Sequence, residues 1–273
     1  MKTLYVSDLD GTLLTSEIKI SENSLNIINS LIDKGMIFTY ATARSISSAS
    51  IAAGGLSAKH PIVAYNGAFI VEPDTRKILA KEDFTGVQTK VVVRILGKRG
   101  ISPLVYSFVD GKERVSWIPG EENEGKRHYI DSRKGDKRLR PVDADEELYA
   151  GDVFYFTCIG EKEELEPVYK ELRENEDYTC TFQPEIYRDE YWLEIMPRKA
   201  TKANAILKLK ELLGCERIVS FGDAVNDMPM FRISDECYAV ENAVDSLKEM
   251  ATEIIDSNNE DGVAKWLLEN AEF

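Results

Sequence analysis

Short runs rich in β-branched and aromatic residues alternate with stretches of helical period from residue 1 to about 80, and again from about 190 to the end. The first block carries TLYVSD, MIFTYAT and PIVAYN, and the second RIVSFGD and CYAVEN, with helix candidates at 22–34 and 202–213. Apolar strands that alternate with helices call for a parallel sheet covered on both faces, an α/β fold. The middle of the chain has a different texture. A helix-period run at 85–97 leads into ISPLVYSFVDGKERVSWI, whose DG between two alternating runs is a hairpin signal. A strand, DVFYFTCIG, a helix candidate at 161–174 and a strand pair around YTCTFQP and YWLEIM follow. The expected organisation is a core of 1–83 and 189–273, with an inserted α+β domain, 84–188, on top of it.

Composition narrows the function. With 273 residues, 43% of them hydrophobic, the chain is long enough to bury a full core. No apolar run approaches the roughly 20 residues that cross a bilayer, and MKTLYVSDLD lacks the apolar region of an export signal, so a cytoplasmic location is expected. Cys158, Cys180, Cys215 and Cys237 are widely spaced without a CxxC pair, and His60 and His128 are the only histidines. That reads as reduced thiols, with neither a disulfide frame nor a zinc site. A formal charge of −14 argues against nucleic acid or an anionic membrane as partner, since phosphate backbones bind through clustered cations. The one basic stretch, GKRHYIDSRKGDKRLRP at 125–141, is interrupted by aspartates and reads as a mixed-charge solvated face ahead of an anion-focusing surface. Trp117 and Trp192 read as sheet or core residues ahead of substrate platforms.

Polar residues finish the core strands: Asp8 and Asp10, Thr42 and Arg44, Asn66, Asp223 and Asp227. In open parallel sheets ligands bind beyond the carboxyl ends of the strands. Carboxylates that converge there repel one another and call for a hard cation; an all-oxygen set without His or Cys suits magnesium. One Asp is then placed to attack a phosphoryl group, and another, two residues on, to move the proton of the leaving oxygen. Lys202, opening a helix, is suited to clamp the transferring oxygens. Magnesium with Lys202 and Arg44 would offset the carboxylates and admit a phosphate dianion.

DLDGT (8–12), Thr42 in YATAR, Lys202 in PRKATKANAI and FGDAVNDMPM (221–230) stand in the order and spacing of the four motifs of the haloacid dehalogenase (HAD) superfamily, which the chain resembles. AYNGA (64–68) and DGVAKWL (261–267) make it similar to the Cof-type branch with a type IIB α/β cap. The resemblance implies a Rossmann-like parallel-sheet core with an inserted α+β cap that sets substrate specificity. It implies a magnesium-dependent phosphatase acting on small phosphorylated metabolites, sugar phosphates first, through an aspartyl-phosphate. Asp8 would be nucleophile and metal ligand, and Asp10 the general acid/base that also offers its carbonyl to the metal. Asp223 would ligate the metal with Asp227 in support, and Thr42, Lys202 and Asn226 would hold the phosphoryl group. Arg44 and Asn66 are possible substrate contacts. The partner expected is a small phosphorylated metabolite, with no nucleic acid or membrane, and the chain is expected as a monomer or weak homodimer. Ala43 and Ala203 replace the glycines usual after the motif Thr and Lys, which is tolerable where φ is negative.

Simpler readings stand beside these. Asp10-Gly11 also makes a strand-ending turn, Asp227 and Thr42 also suit helix caps, and Asn66-Gly67 suits a turn. A sugar phosphomutase of the same superfamily would return the phosphoryl group to sugar instead of water. A phospho-Asp regulatory module would need no general acid two residues after the nucleophile.

Overall fold

The computed structural model describes residues 1–185 and 188–273, which form two compact units, Met1–Lys81 with Ala200–Phe273, and Glu82–Lys199. In chain order the first unit opens with β1 (Thr3–Ser7), α1 (Glu22–Asp33), β2 (Ile37–Tyr40), α2 (Ile46–Ala52), β3 (Ile62–Ala64), β4 (Phe69–Val71) and β5 (Ile78–Lys81). The second contains α3 (Gly86–Gly97), β6 (Leu104–Val109), β7 (Lys112–Trp117), α4 (Glu124–Asp131), β8 (Leu139–Pro141), α5 (Asp145–Leu148), β9 (Asp152–Gly160), α6 (Lys162–Arg173), β10 (Tyr178–Pro184) and β11 (Tyr191–Pro197). The first unit closes with α7 (Lys202–Leu213), β12 (Arg217–Gly222), α8 (Met228–Ile233), β13 (Glu236–Val240), α9 (Asp245–Lys248), β14 (Glu253–Ile255) and α10 (Gly262–Asn270). Because β11 pairs with both β10 and β9, the chain returns to the first unit at Ala200, later than the expected 189.

Five parallel strands in the order β14-β13-β12-β1-β2 form the sheet of the first unit. Every residue of β1 and β2 is buried, which explains their unbroken apolar character: both faces are covered. PIVAYN departs from expectation. It heads an antiparallel trio, β3-β4-β5, and meets the parallel sheet only through a bridge between Ala41 and Val63. The strand β14, in ATEIID, escaped the sequence reading because it is three half-exposed residues long. Asp261, in the DGVAKWL stretch, has a structural role. Its carboxylate accepts hydrogen bonds from the Ser21 hydroxyl, Ser24 Oγ (2.8 Å) and Asn23 Nδ2 (2.9 Å), tying α10 to α1.

The second unit is a six-stranded sheet, β10-β11-β9-β6-β7-β8. The Asp110-Gly111 turn joins β6 to β7 as the DG signal predicts, with φ of 51° and 72°. Leu165, Val168 and Leu172 of α6 and Val92, Ile95 and Leu96 of α3 bury against Phe156, Leu193 and Ile195 of the sheet. Several cations of the basic stretch find partners within the second unit. Arg138 meets Asp136 and Glu113, Arg133 lies 3.7 Å over the Tyr129 ring, and buried Lys126 donates to the Ser102 carbonyl at 2.8 Å. Trp117 is buried, donating to Glu122 at 2.8 Å, and Trp192 packs edge-on against Tyr129. The four cysteines are free thiols. Among the described residues no helix is long and apolar enough to cross a membrane.

Candidate active site

Strand β1 lies between β12 and β2, and all three run the same way, so their carboxyl ends share one rim. Asp8 directly follows β1, Thr42 lies two residues beyond β2, and Asp223 directly follows β12. The chain leaves β1 in a tight loop, Leu14 N–H returning to the Leu9 carbonyl at 2.8 Å. Gly11 is obligatory there: φ is +75°, and a Cβ would stand 2.4 Å from Asp223 Oδ2. Thr12 Oγ1 donates to Asp223 Oδ1 at 2.8 Å, so the loop and the second strand end are fastened together.

Asp8, Asp223 and Asp227 each present a carboxylate oxygen within 4.8 Å of the others. Asp227 is fully buried; its Oδ2 accepts from the backbone N–H of Asp223 (3.0 Å) and Ala224 (3.2 Å), while its Oδ1 accepts from Lys202 Nζ at 2.7 Å. It turns back toward β12 and does not cap α8. Lys202, 2% exposed, opens α7 behind the Thr201 cap and also donates to Asp8 Oδ1 at 2.5 Å. Burial opposes its charge, but the two carboxylates dominate and raise its pKa. Burial, resisted by Lys202 and aided by the neighbouring carboxylates, raises Asp8 well above the usual range. Burial and then Asp227 push Asp223 up to about 6. Charges crowded this closely out of water are poised for a cation.

Asp10 stands apart from that trio. Its carboxylate, half-exposed, takes a bidentate pair from Arg44, Nε to Oδ2 at 2.7 Å and Nη2 to Oδ1 at 2.5 Å. Thr42 is fully buried, its Oγ1 accepting from the Arg44 N–H at 3.1 Å. Asn226 is half-buried, one residue before Asp227. Asn66 lies in the turn after β3, its N–H donating to the Thr42 carbonyl at 2.9 Å. Neither Ala43 nor Ala203 is among the positive-φ residues, so the two substitutions for glycine cost no strain.

The family model for haloacid dehalogenase-like hydrolases matches residues 5–267. The chain belongs to this family. It is a HAD-type phosphatase, a hydrolase of phosphoric monoesters. Among curated relatives, the 5-amino-6-(5-phospho-D-ribitylamino)uracil phosphatase YwtE of Bacillus subtilis is 27% identical, the match covering 98% of this chain and 97% of that one. YitU of the same organism, named for the same activity, is 28% identical over 97% and 96%. A Thermotoga maritima crystal structure superposes with a TM-score of 0.79 at 25% identity, covering 100% of this chain and 98% of that one. A subclass IIB sugar phosphatase of the superfamily superposes at 0.72 with 21% identity, covering 98% of each; that likeness is one of fold.

The loop after β1 is also held by residues that sequence reasoning did not assign. Asn242, two residues past β13, donates from Nδ2 to the Gly11 carbonyl at 2.8 Å and accepts from the Asn258 N–H at 3.0 Å. Asn258 Nδ2 reaches the Leu14 carbonyl at 2.8 Å. This amide relay holds Gly11 and Leu14, in the loop that leaves β1. A polar residue just past a fourth parallel strand, β13, was the available signal for Asn242.

Proposed function

We propose that this phosphatase is magnesium-dependent, acts through an aspartyl-phosphate on Asp8, and hydrolyses small phosphorylated metabolites in the cytoplasm, with sugar and sugar-alcohol phosphates the leading class. The observation that carries the mechanism is Lys202 bridging Asp8 and Asp227 beside Asp223, four ionisable groups on one strand-end rim. The ribityl phosphate in the names of the curated relatives supports the substrate class.

Three converging carboxylate oxygens without nitrogen or sulfur fit a hard divalent ion; Asp8, Asp223, Asp227 and the Asp10 carbonyl would hold it. Such an ion supplies charge neutralisation at the phosphoryl group. Asp8 attacks phosphorus through a carboxylate oxygen; the ester P–O bond breaks and its electron pair goes to the leaving oxygen, which takes a proton from Asp10. Asp10 then accepts a proton from water as the water oxygen attacks phosphorus, and the bond to Asp8 breaks to restore the carboxylate and release phosphate. Lys202 holds Asp8 in place and has a third N–H for a phosphoryl oxygen; Thr42 and Asn226 hold the others. Arg44 must release Asp10 before the acid acts, and an incoming dianion competes for the same guanidinium. The second unit, residues 82–199, is proposed as the cap that selects the leaving group, on a chain acting as a monomer or weak homodimer.

Phosphate release from sugar phosphates, nucleotides and p-nitrophenyl phosphate, with and without magnesium, tests the reading beside Asp8→Asn. Metal-dependent release abolished in the variant is expected. Formation of a positional isomer in place of phosphate would move the assignment to a mutase, and a long-lived phosphoprotein without turnover to a regulatory module.

A further inference from the structure

Glycine has the widest backbone freedom of any residue, so a loop that turns through Gly11 at φ +75° needs an outside tie to keep one course. Asn242 supplies it, donating from Nδ2 to the Gly11 carbonyl at 2.8 Å. That carbonyl belongs to the peptide leading into Thr12, whose Oγ1 donates to Asp223 Oδ1 at 2.8 Å. A little further along the chain from Asn242, the Val244 N–H donates to the Asp223 backbone carbonyl at 2.8 Å. The turn Asn242–Val244 therefore ties the loop after Asp8 and the strand end at Asp223 to one another, although it contributes no carboxylate of its own.

Asn242 is exposed, yet both ends of its amide are engaged, because Oδ1 accepts from the Asn258 N–H at 3.0 Å. Asn258 is buried, and its Nδ2 fixes the Leu14 carbonyl of the same loop at 2.8 Å. An exposed side chain adds little to a core, so this attachment points to the geometry of what it holds. That geometry is the placing of Asp223 against the loop that follows Asp8. Magnesium demands near-octahedral ligands at short distances, whereas calcium accepts a looser and more flexible set. A tie that fixes two carboxylate-bearing segments therefore favours the smaller ion.

Resting on the magnesium-dependent reading above, we propose that Asn242 is a positioning residue of the cation site, and that its bond to the Gly11 carbonyl gives the site its preference for magnesium over calcium. It acts through Gly11, Thr12 and Asp223.

Asn242→Ala removes both amide contacts, and Asn242→Asp keeps an oxygen for the Asn258 N–H while losing the donor to Gly11. The measurement is calorimetric binding of magnesium and, separately, of calcium to wild type and both variants, with metal-free melting as the folding control. In Asn242→Ala magnesium affinity should fall by about tenfold, the lower end of the losses from disturbing groups around metal ligands, and calcium affinity by less than about threefold. In Asn242→Asp the added charge favours both ions alike, and the ratio of magnesium to calcium affinity should still fall by about threefold or more. A smaller change of that ratio in either variant overturns the assignment, including the case in which both ions weaken equally, as a merely structural tie would have it. If wild type binds neither ion, the metal reading falls and this inference falls with it. If wild type binds magnesium but hydrolyses no ester, only the phosphatase mechanism falls, and the affinity ratio still decides the role of Asn242.

Discussion

Replacing Lys202 by Met removes the one cation that, among the described residues, contacts both Asp8 and Asp227, and keeps the volume of the side chain. Those carboxylates are 5% and 0% exposed, so water does not replace the ammonium. At an effective dielectric constant near 20, each contact of 2.5–2.7 Å represents about 6 kcal/mol of attraction, most of it offset by desolvation. Truncating one member of a buried pair typically costs about 3–5 kcal/mol, because the survivors are left unpaired. For a chain of this size that is a melting shift of roughly 6–20 °C. The assay is thermal melting of metal-free wild type, Lys202→Met, Asp8→Asn and the double variant at pH 7. Because Asp8→Asn removes one stranded charge, the double variant should be more stable than the two single losses added together, by more than about 1 kcal/mol. A melting shift under about 2 °C in Lys202→Met, or strict additivity in the double variant, refutes the claim that the lysine is an obligatory counter-ion.

Four further outcomes follow from the same geometry. Asp223 is raised to about 6, first by burial, so its contribution to metal-free stability is complete below the unfolded value of 3.8 and is lost as pH climbs through 6, and Asp8, also raised by burial, shifts stability in the same direction; magnesium should therefore raise the melting temperature more at pH 7 than at pH 5, and a pH-independent increment would contradict this. Gly11→Ala drives a methyl into Asp223, and calorimetry should show magnesium affinity reduced by about tenfold or more, in the range of the 10–100-fold losses from disturbing the residues around metal ligands, whereas unchanged affinity would show that the loop yields. Arg44→Ala frees Asp10 of its bidentate partner and removes a cation facing the substrate, so the KM for phosphate esters should rise by about tenfold, and an unchanged KM would remove Arg44 from the site. Burial pushes the Cys158 thiol up to about 12, and it should resist maleimide at pH 8 until urea unfolds the chain.

How much of this was legible in the sequence depended on whether an element's local signal matched its environment. Helices α1, α3 and α7 open on Ser21, Thr85 and Thr201, whose hydroxyls accept from the chain three residues on, and their sequence-expected limits differ from the observed ones by one residue at most. Strands β1 and β2 read as apolar runs because they are buried on both faces. PIVAYN reads identically, yet it pairs mainly with β4, and an apolar run of three residues does not announce which sheet it joins. The catalytic candidates were visible because the chemistry needs charge where a strand stops. The separation of Asp10 from the carboxylate trio was not visible, since one loop residue decides which way each side chain turns. Asn242 and Asn258 act by long-range amide contacts to Gly11 and Leu14, which no local pattern records.

The central claim is that Asp8 itself carries the phosphoryl group. Quenching turnover with borohydride would reduce an aspartyl-phosphate to homoserine, and peptide mass spectrometry across YVSDLDGTLL would place it. The account predicts the modification at Asp8, dependent on substrate and magnesium and lost in Asp8→Asn. Modification at Asp10, or undiminished phosphate release from Asp8→Asn, would contradict it.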